Sequence, residues 1–302
     1  MSLDTRFASK LERVDDAPEP LRGALRRRLP PEETISLLAY SPAHASAGAQ
    51  SPATALAVTD RGWLVVSEES GGAEAAGCAF DDTLLVELSE ILLLGTLKIH
   101  FAPGGETRSG CVTFNTVMEA LYREAAELVL KGIGPASETA RGEALPAAAL
   151  EDWPMKFRNA VIKALPKGRR LLAATCWAPV SGGFQRRLAP AVWKSVRPAP
   201  AELPIPQAPA GALALTEREI LLIVEHEAED RLRAGDRQSY GNITTYLPLA
   251  RCSRAGLSHH DRFSILALEA HGRHGGEKLE IILPPGDPGV AKFVEKVGRS
   301  DV

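Results

Sequence analysis

The chain has no apolar run long enough to cross a bilayer. Stretches such as Ile91–Leu94 fall far short of the roughly 20 residues that a helical span needs. The opening Met-Ser-Leu-Asp-Thr-Arg-Phe lacks the apolar core of a secretory leader. Cysteine is scarce: Cys78, Cys111, Cys176 and Cys252 stand far apart without Cys-x-x-Cys spacing. That excludes a zinc-ribbon pattern and offers no disulfide framework, so a reducing cytoplasm is the expected home. The motifs of common chemistry are also missing. There is no G-x-S-x-G elbow, no G-x-x-x-x-G-K-[ST] loop and no G-x-G-x-x-G turn, which leaves hydrolase, P-loop and dinucleotide readings without support.

What is present is soluble, globular material. The 302 residues, 45% hydrophobic and 24% charged, suffice for two ordinary domains. Richness in Ala, Arg, Gly and Pro reads as a GC-rich bacterial coding sequence. The net charge of −3 hides an asymmetry. Residues 1–150 carry 13 Lys and Arg against 21 Asp and Glu, a net −8; residues 151–302 carry 22 against 17, a net +5. Opposite charge on the halves suits pairing of the two, within one chain or between copies, or an anionic partner for the second half.

The sequence repeats itself. Leu21-Arg-Gly-Ala-Leu-Arg-Arg-Arg-Leu-Pro30 matches Phe157-Arg-Asn-Ala-Val-Ile-Lys-Ala-Leu-Pro166. Ala55-Leu-Ala-Val-Thr-Asp-Arg61 matches Ala212-Leu-Ala-Leu-Thr-Glu-Arg218, and Gly104-Gly-Glu106 matches Gly275-Gly-Glu277. The offset grows from 136 to 157 to 171 residues, so the second copy carries insertions while keeping the order.

Each copy is expected to open with a short helix. Pro20 or Pro154 suits its first turn, Leu21/Leu25/Leu29 or Phe157/Val161/Leu165 form the stripe, and Pro30 or Pro166 stops it. Alternation at Leu97, Ile99 and Phe101 against Lys98 and His100, and at Leu279, Ile281 and Leu283, predicts half-buried strands. A closing helix follows. In the first copy, Thr116 and Glu119 have capping-box spacing, Val117, Leu121, Ala125 and Leu128 make the stripe, and Lys131-Gly132 stops it. In the second, Asp287 caps, Pro288 starts the helix, and Val290, Phe293, Val294 and Val297 face inward. Residues 1–18 then read as an N-terminal segment, 19–133 as module 1, 134–150 as a linker and 151–302 as module 2. Ser41–Ala53 is a loop in the first copy. Its counterpart is an insertion at 181–210, holding Phe184, Trp193 and a proline run expected as extended polyproline II.

One resemblance covers roughly residues 33–132. It is carried by Ala55-Leu-Ala-Val-Thr-Asp-Arg-Gly-Trp-Leu-Val-Val66, Phe80-Asp-Asp82, Leu94-Gly-Thr-Leu-Lys-Ile-His-Phe101 and Val112-Thr-Phe-Asn-Thr-Val117. These segments resemble bacterial pleckstrin-homology-like (PH-like) or GRAM-type domains. There, a Thr-Asp-Arg segment joins two strands and an aromatic-Asp-Asp segment leads the next. The second copy matches at Leu213–Val224 and in its last strand and helix, while Tyr246-Leu-Pro-Leu249 departs from Phe-Asp-Asp. The resemblance implies an α+β, mainly β fold: two tandem PH-like barrel or sandwich modules, each with a short N-terminal helix and a C-terminal capping helix. It implies adaptor modules that bind proteins, peptides or phosphoinositides and that are not enzymes.

The residues themselves point to little chemistry. His259-His260 and His271/His274 bracket an expected strand, Arg262–Ala270, about 30 Å long at roughly 3.3 Å per residue, too far apart to share a metal. His226 in Glu225-His-Glu-Ala-Glu-Asp230 lacks the second His at i+4 of a zinc-protease helix and reads as a polar strand end. Asp81 and Asp82, adjacent on a strand, would face opposite sides, so turn hydrogen bonding is their expected job. The basic clusters are Arg26-Arg27-Arg28 and Lys163, Lys167, Arg169 and Arg170, with Arg186, Arg187 and Lys194 in the insertion. Arg169, Arg170, Arg186, Arg187 and Lys194 form the candidate set for an anionic ligand, such as a phospholipid headgroup or an acidic protein. The competing reading is a solvated face paired with the acidic first half. No metal, cofactor or nucleic-acid partner is expected. The expectation is a cytoplasmic, non-catalytic interaction protein that binds protein or peptide partners, with peripheral membrane binding through module 2 as the alternative.

Overall fold

The computed structural model describes residues 7–46, 49–91, 93–134, 142–181, 206–226, 241–261 and 263–298. The chain is mainly β, with short helices. It divides into two compact units, one of Met1–Gly134 with Gly272–Gly276, the other of Pro135–His271 with Glu277–Val302.

In unit 1 the strands are β1 (Ser9–Lys10), β2 (Ile35–Ser41), β3 (His44–Ser46), β4 (Ala49–Ser51), β5 (Thr54–Thr59), β6 (Gly62–Glu69), β7 (Gly72–Ala79), β8 (Thr83–Ile91), β9 (Leu94–Phe101) and β10 (Arg108–Asn115). The helices are α1 (Leu21–Arg28) and α2 (Glu119–Gly132). An antiparallel sheet runs β1-β2-β5-β6-β7, and β8, β9 and β10 form a second antiparallel meander. Leu21, Ala24 and Leu25 of α1 pack on Leu38, Tyr40, Ala55, Ala57 and Val66, covering one face of the first sheet. Every residue of β5 is buried, because that face lies under α1 and the other faces the second meander. There Trp63 of β6 meets Phe101 of β9 edge-on, ring centroids 5.0 Å apart. Such a pair adds to simple burial, since the ring edge and face carry opposite partial charge. Gly110 makes room for that ring: a Cβ would sit 2.6 Å from Trp63.

Several expectations need correction here. Val117 was expected to be buried but is 83% exposed, and no Thr116–Glu119 box forms. The side chain of Asn115 instead accepts from the Val117 amide, a short 3-10 turn follows, and α2 begins at Glu119. Leu121 and Ala125 of the expected stripe are buried and Leu128 is half-buried; Tyr122, Ala126 and Val129 complete the inward face, and Tyr122 stacks on Phe114 at 4.1 Å. His100, read as a solvent-facing strand residue, is only 7% exposed, with Nε2 3.0 Å from Glu87 Oε2. The expected loop Ser41–Ala53 holds the hairpin β3–β4. Of residues 1–18, read as separate from the module, Ser9–Lys10 form β1 on the sheet edge, and Leu11 and Ala17 join the core beside α1.

In unit 2 the elements are α3 (Met155–Ala164), β11 (Leu171–Trp177), β12 (Val180–Ser181), β13 (Pro206–Ala208), β14 (Gly211–Thr216), β15 (Glu219–His226), β16 (Gly241–Pro248), β17 (Cys252–His259), β18 (Ser264–His271), β19 (Gly276–Leu283) and α4 (Pro288–Gly298). The neighbours run β16-β15-β14-β11, then β17-β18-β19. Phe157 and Val161 of α3 are buried, and β14 is buried throughout, as β5 is in unit 1. Asp287 Oδ1 caps α4 by accepting from the Gly289 and Val290 amides, and Val290, Phe293 and Val297 turn inward. The strand expected at Arg262–Ala270 is Ser264–His271. Of the expected linker, residues 135–141 lie outside the described residues. Ala147–Leu150 is a 3-10 turn, and the Leu145 amide donates to the Leu171 carbonyl.

Leaving aside β1 and the two short pairs β3–β4 and β12–β13, each unit runs helix, four antiparallel strands, three more strands, helix.

Candidate functional site

The Thr-Asp-Arg and Thr-Glu-Arg segments form the same turn. Thr59 Oγ1 donates to the Gly62 carbonyl and accepts from the Arg61 and Gly62 amides at 3.2 and 3.0 Å. Thr216 Oγ1 is placed to donate to the Glu219 carbonyl and accepts from the Arg218 and Glu219 amides at 3.0 and 2.8 Å. The Thr59 hydroxyl satisfies three backbone groups that the tight turn leaves without strand partners, whereas Thr216 satisfies the two amides and gives its single proton to the nearer Glu219 carboxylate oxygen. The next residue ties the turn to the strand start. Asp60 accepts from the Thr34 amide and Glu217 from the Arg170 amide.

Two further backbone bonds recur. The Phe80 amide donates to the Arg61 carbonyl, and the Leu249 amide to that of Arg218. The Ala102 amide donates to Asp82, and the His271 amide to Arg251. By these bonds Leu249-Ala250-Arg251 is the equivalent in unit 2 of Phe80-Asp81-Asp82 in unit 1. Of Tyr246-Leu-Pro-Leu249, the segment that departs from Phe-Asp-Asp, Tyr246–Pro248 belong to β16 and Leu249 alone falls in the counterpart. Phe80 and Leu249 are both buried, so the apolar lead is kept while two acids are replaced by Ala and Arg. The Phe80-Asp-Asp82 segment is itself a 3-10 turn that precedes β8.

Of the candidate anion-binding residues, Arg186, Arg187 and Lys194 lie outside the described residues. Arg169 is engaged: its Nε is 3.3 Å from both carboxylate oxygens of Glu219. That carboxylate is nearly sealed, its side chain 3% exposed, and it also accepts from Thr216 Oγ1 at 2.7 Å. The Arg170 side chain is exposed. Spacing gave no sign of Glu219, which sits 50 residues from Arg169. In unit 1, Arg26 pairs with Asp15 at 2.6 Å, and the guanidinium holds the Asp15 carboxyl below its ordinary value.

The histidines disperse. His259 Nδ1 lies 3.0 Å from Ser264 Oγ, and His260 stacks on Phe263. His271 ends β18, exposed. His274, in the turn grouped with unit 1, is 2.7 Å from Asp82. His226 ends β15. Among the described residues no three His, Cys, Asp or Glu side chains converge. Burial pushes the Cys252 thiol up to about 11 and raises those of Cys111 and Cys176, which disfavours the nucleophilic thiolate at neutral pH.

Unit 1 contains a groove that sequence reasoning missed, about 290 Å³ in volume. Its walls are the end of α1 with Arg28 and Leu29, the β5–β6 turn with Arg61, and β7 with Ala75, Gly77 and Cys78. Glu33 also lines it. The strands approach closely here: a Cβ on Gly62 would lie 2.2 Å from the Cys78 carbonyl oxygen. Strand β7 is the outer strand of its sheet, paired with β6. Its sequence, Gly-Ala-Glu-Ala-Ala-Gly-Cys-Ala, has neither the Lys nor the Pro that commonly blunt an exposed edge.

Searches for similarity among protein-family models, curated proteins and solved structures return no match.

Proposed function

We infer that this chain is a non-catalytic interaction protein of two PH-like modules that binds protein or peptide partners. The observation that carries the reading is the recurrence of one plan in both units. Four antiparallel strands, three more and a closing helix appear twice, with the same Thr-centred turn at the same point. The surfaces such a plan offers to partners are strand edges and shallow grooves, where backbone amides and carbonyls wait for another chain. Function is argued from such surfaces rather than from the fold name.

The test is partner capture by in-cell crosslinking, followed by titration of the purified partner. Saturable binding supports the reading, and a turnover activity abolished by one point substitution overturns it. Co-sedimentation with vesicles of mixed neutral and anionic lipid tests the membrane alternative. Retention that disappears in the Arg186→Ala/Arg187→Ala variant would transfer the function to a lipid surface.

A further inference from the structure

We propose that the β7 edge of unit 1 and the groove beside it form a docking site for an extended peptide with an acidic side chain. The inference rests on the interaction reading above and names its place and its ligand chemistry. Three observations meet at this spot. First, β7 is eight residues long and, among the described residues, paired on one side, so its outer backbone groups offer a ladder to an added strand. Second, its side chains are Gly, Ala and Cys apart from Glu74, so an incoming strand meets no bulky obstacle. Third, the groove at its Cys78 end presents the guanidinium groups of Arg28 and Arg61, which are exposed and have no ion-pair or hydrogen-bond partner among the described residues.

The sizes agree. About 290 Å³ holds one or two side chains and is at the lower limit for a drug-sized ligand. The wall is mixed: Leu29, Leu64 and Ala75 supply apolar surface and the two guanidinium groups supply charge. A carboxylate between Arg28 and Arg61 would gain charge-assisted hydrogen bonds, while Glu33 at the rim disfavours a highly charged anion such as phosphate. A strand is the ligand shape that satisfies edge and groove together.

The experiment selects linear peptides from a displayed random library on the 302-residue chain. Enriched peptides are then titrated by fluorescence anisotropy and mapped by hydrogen exchange. The expected peptides alternate in character and carry an acidic residue, and they slow exchange across residues 72–79. The Arg28→Ala/Arg61→Ala variant, altered only at exposed side chains, should lose about three- to tenfold in affinity with an unchanged melting curve. Arg61→Lys should retain part of the binding.

Peptides that bind without protecting 72–79 and ignore both arginines overturn this site but leave the interaction reading intact. A library that yields no binder overturns it too, and if crosslinking also captures no partner, the broader reading falls with it. Protection of 72–79 that rises with protein concentration alone would give the edge to a second copy of the chain, overturning the peptide assignment.

Discussion

The turns Thr59–Gly62 and Thr216–Glu219 share their amide-to-hydroxyl hydrogen bonds and differ in the residue that completes them. In unit 1 the fourth residue is Gly62, pressed so closely against β7 that no Cβ has room. In unit 2 it is Glu219, whose carboxylate is buried with Arg169 and Thr216. A hydroxyl-centred frame can therefore be kept while the position beside it passes from a bare backbone contact to a buried ion pair. The frame answers a local need, two backbone amides to satisfy, and so is independent of its neighbours. The fourth position answers to whatever packs over it.

That contrast can be broken by substitution, with urea unfolding read separately for each unit by hydrogen exchange. The largest effect should come from Arg169→Ala, which leaves Glu219 buried without its cation. The expected loss is about 3 kcal/mol in unit 2, the low end for a broken buried pair because Arg169 keeps some solvent contact. Gly62→Ala should follow, at about 1–3 kcal/mol in unit 1, as the added methyl forces β6 and β7 apart. Thr216→Val should lose about 1.5–3 kcal/mol in unit 2, because it also removes the donor to the buried Glu219 carboxylate, and Thr59→Val about 1–2 kcal/mol in unit 1. Equal losses would mean that the Thr216 proton does not serve that carboxylate.

The short helices and alternating strands were legible because they obey local rules. Leu21 and Leu25, and Phe157 and Val161, recur at helical spacing and are buried. The sequence sets the start of α2 too early, because Thr116 and Glu119 mimic a capping box while Asn115 caps a 3-10 turn that precedes the helix. The hairpin β3–β4 is built from Ala, Ser, His and Gln, which carry little strand signal. The role of Arg169 was hidden for a different reason: its partner is fixed by strand pairing, and charge clustering along the sequence says nothing of that. The groove and the β7 edge depend on sheet order, and no periodicity encodes which strand lies outermost.

Helix α1 is eight residues long, below the length at which an isolated helix holds together in water. It is therefore ordered by the sheet beneath it, and its amides should exchange through detachment from that sheet as one unit. Its last residue, Arg28, is also a wall of the groove. A ligand seated there binds only the docked helix, so it raises the cost of detachment by RT ln(1 + [L]/Kd). Exchange along α1 would then act as a gauge of occupancy, legible without any label on the ligand.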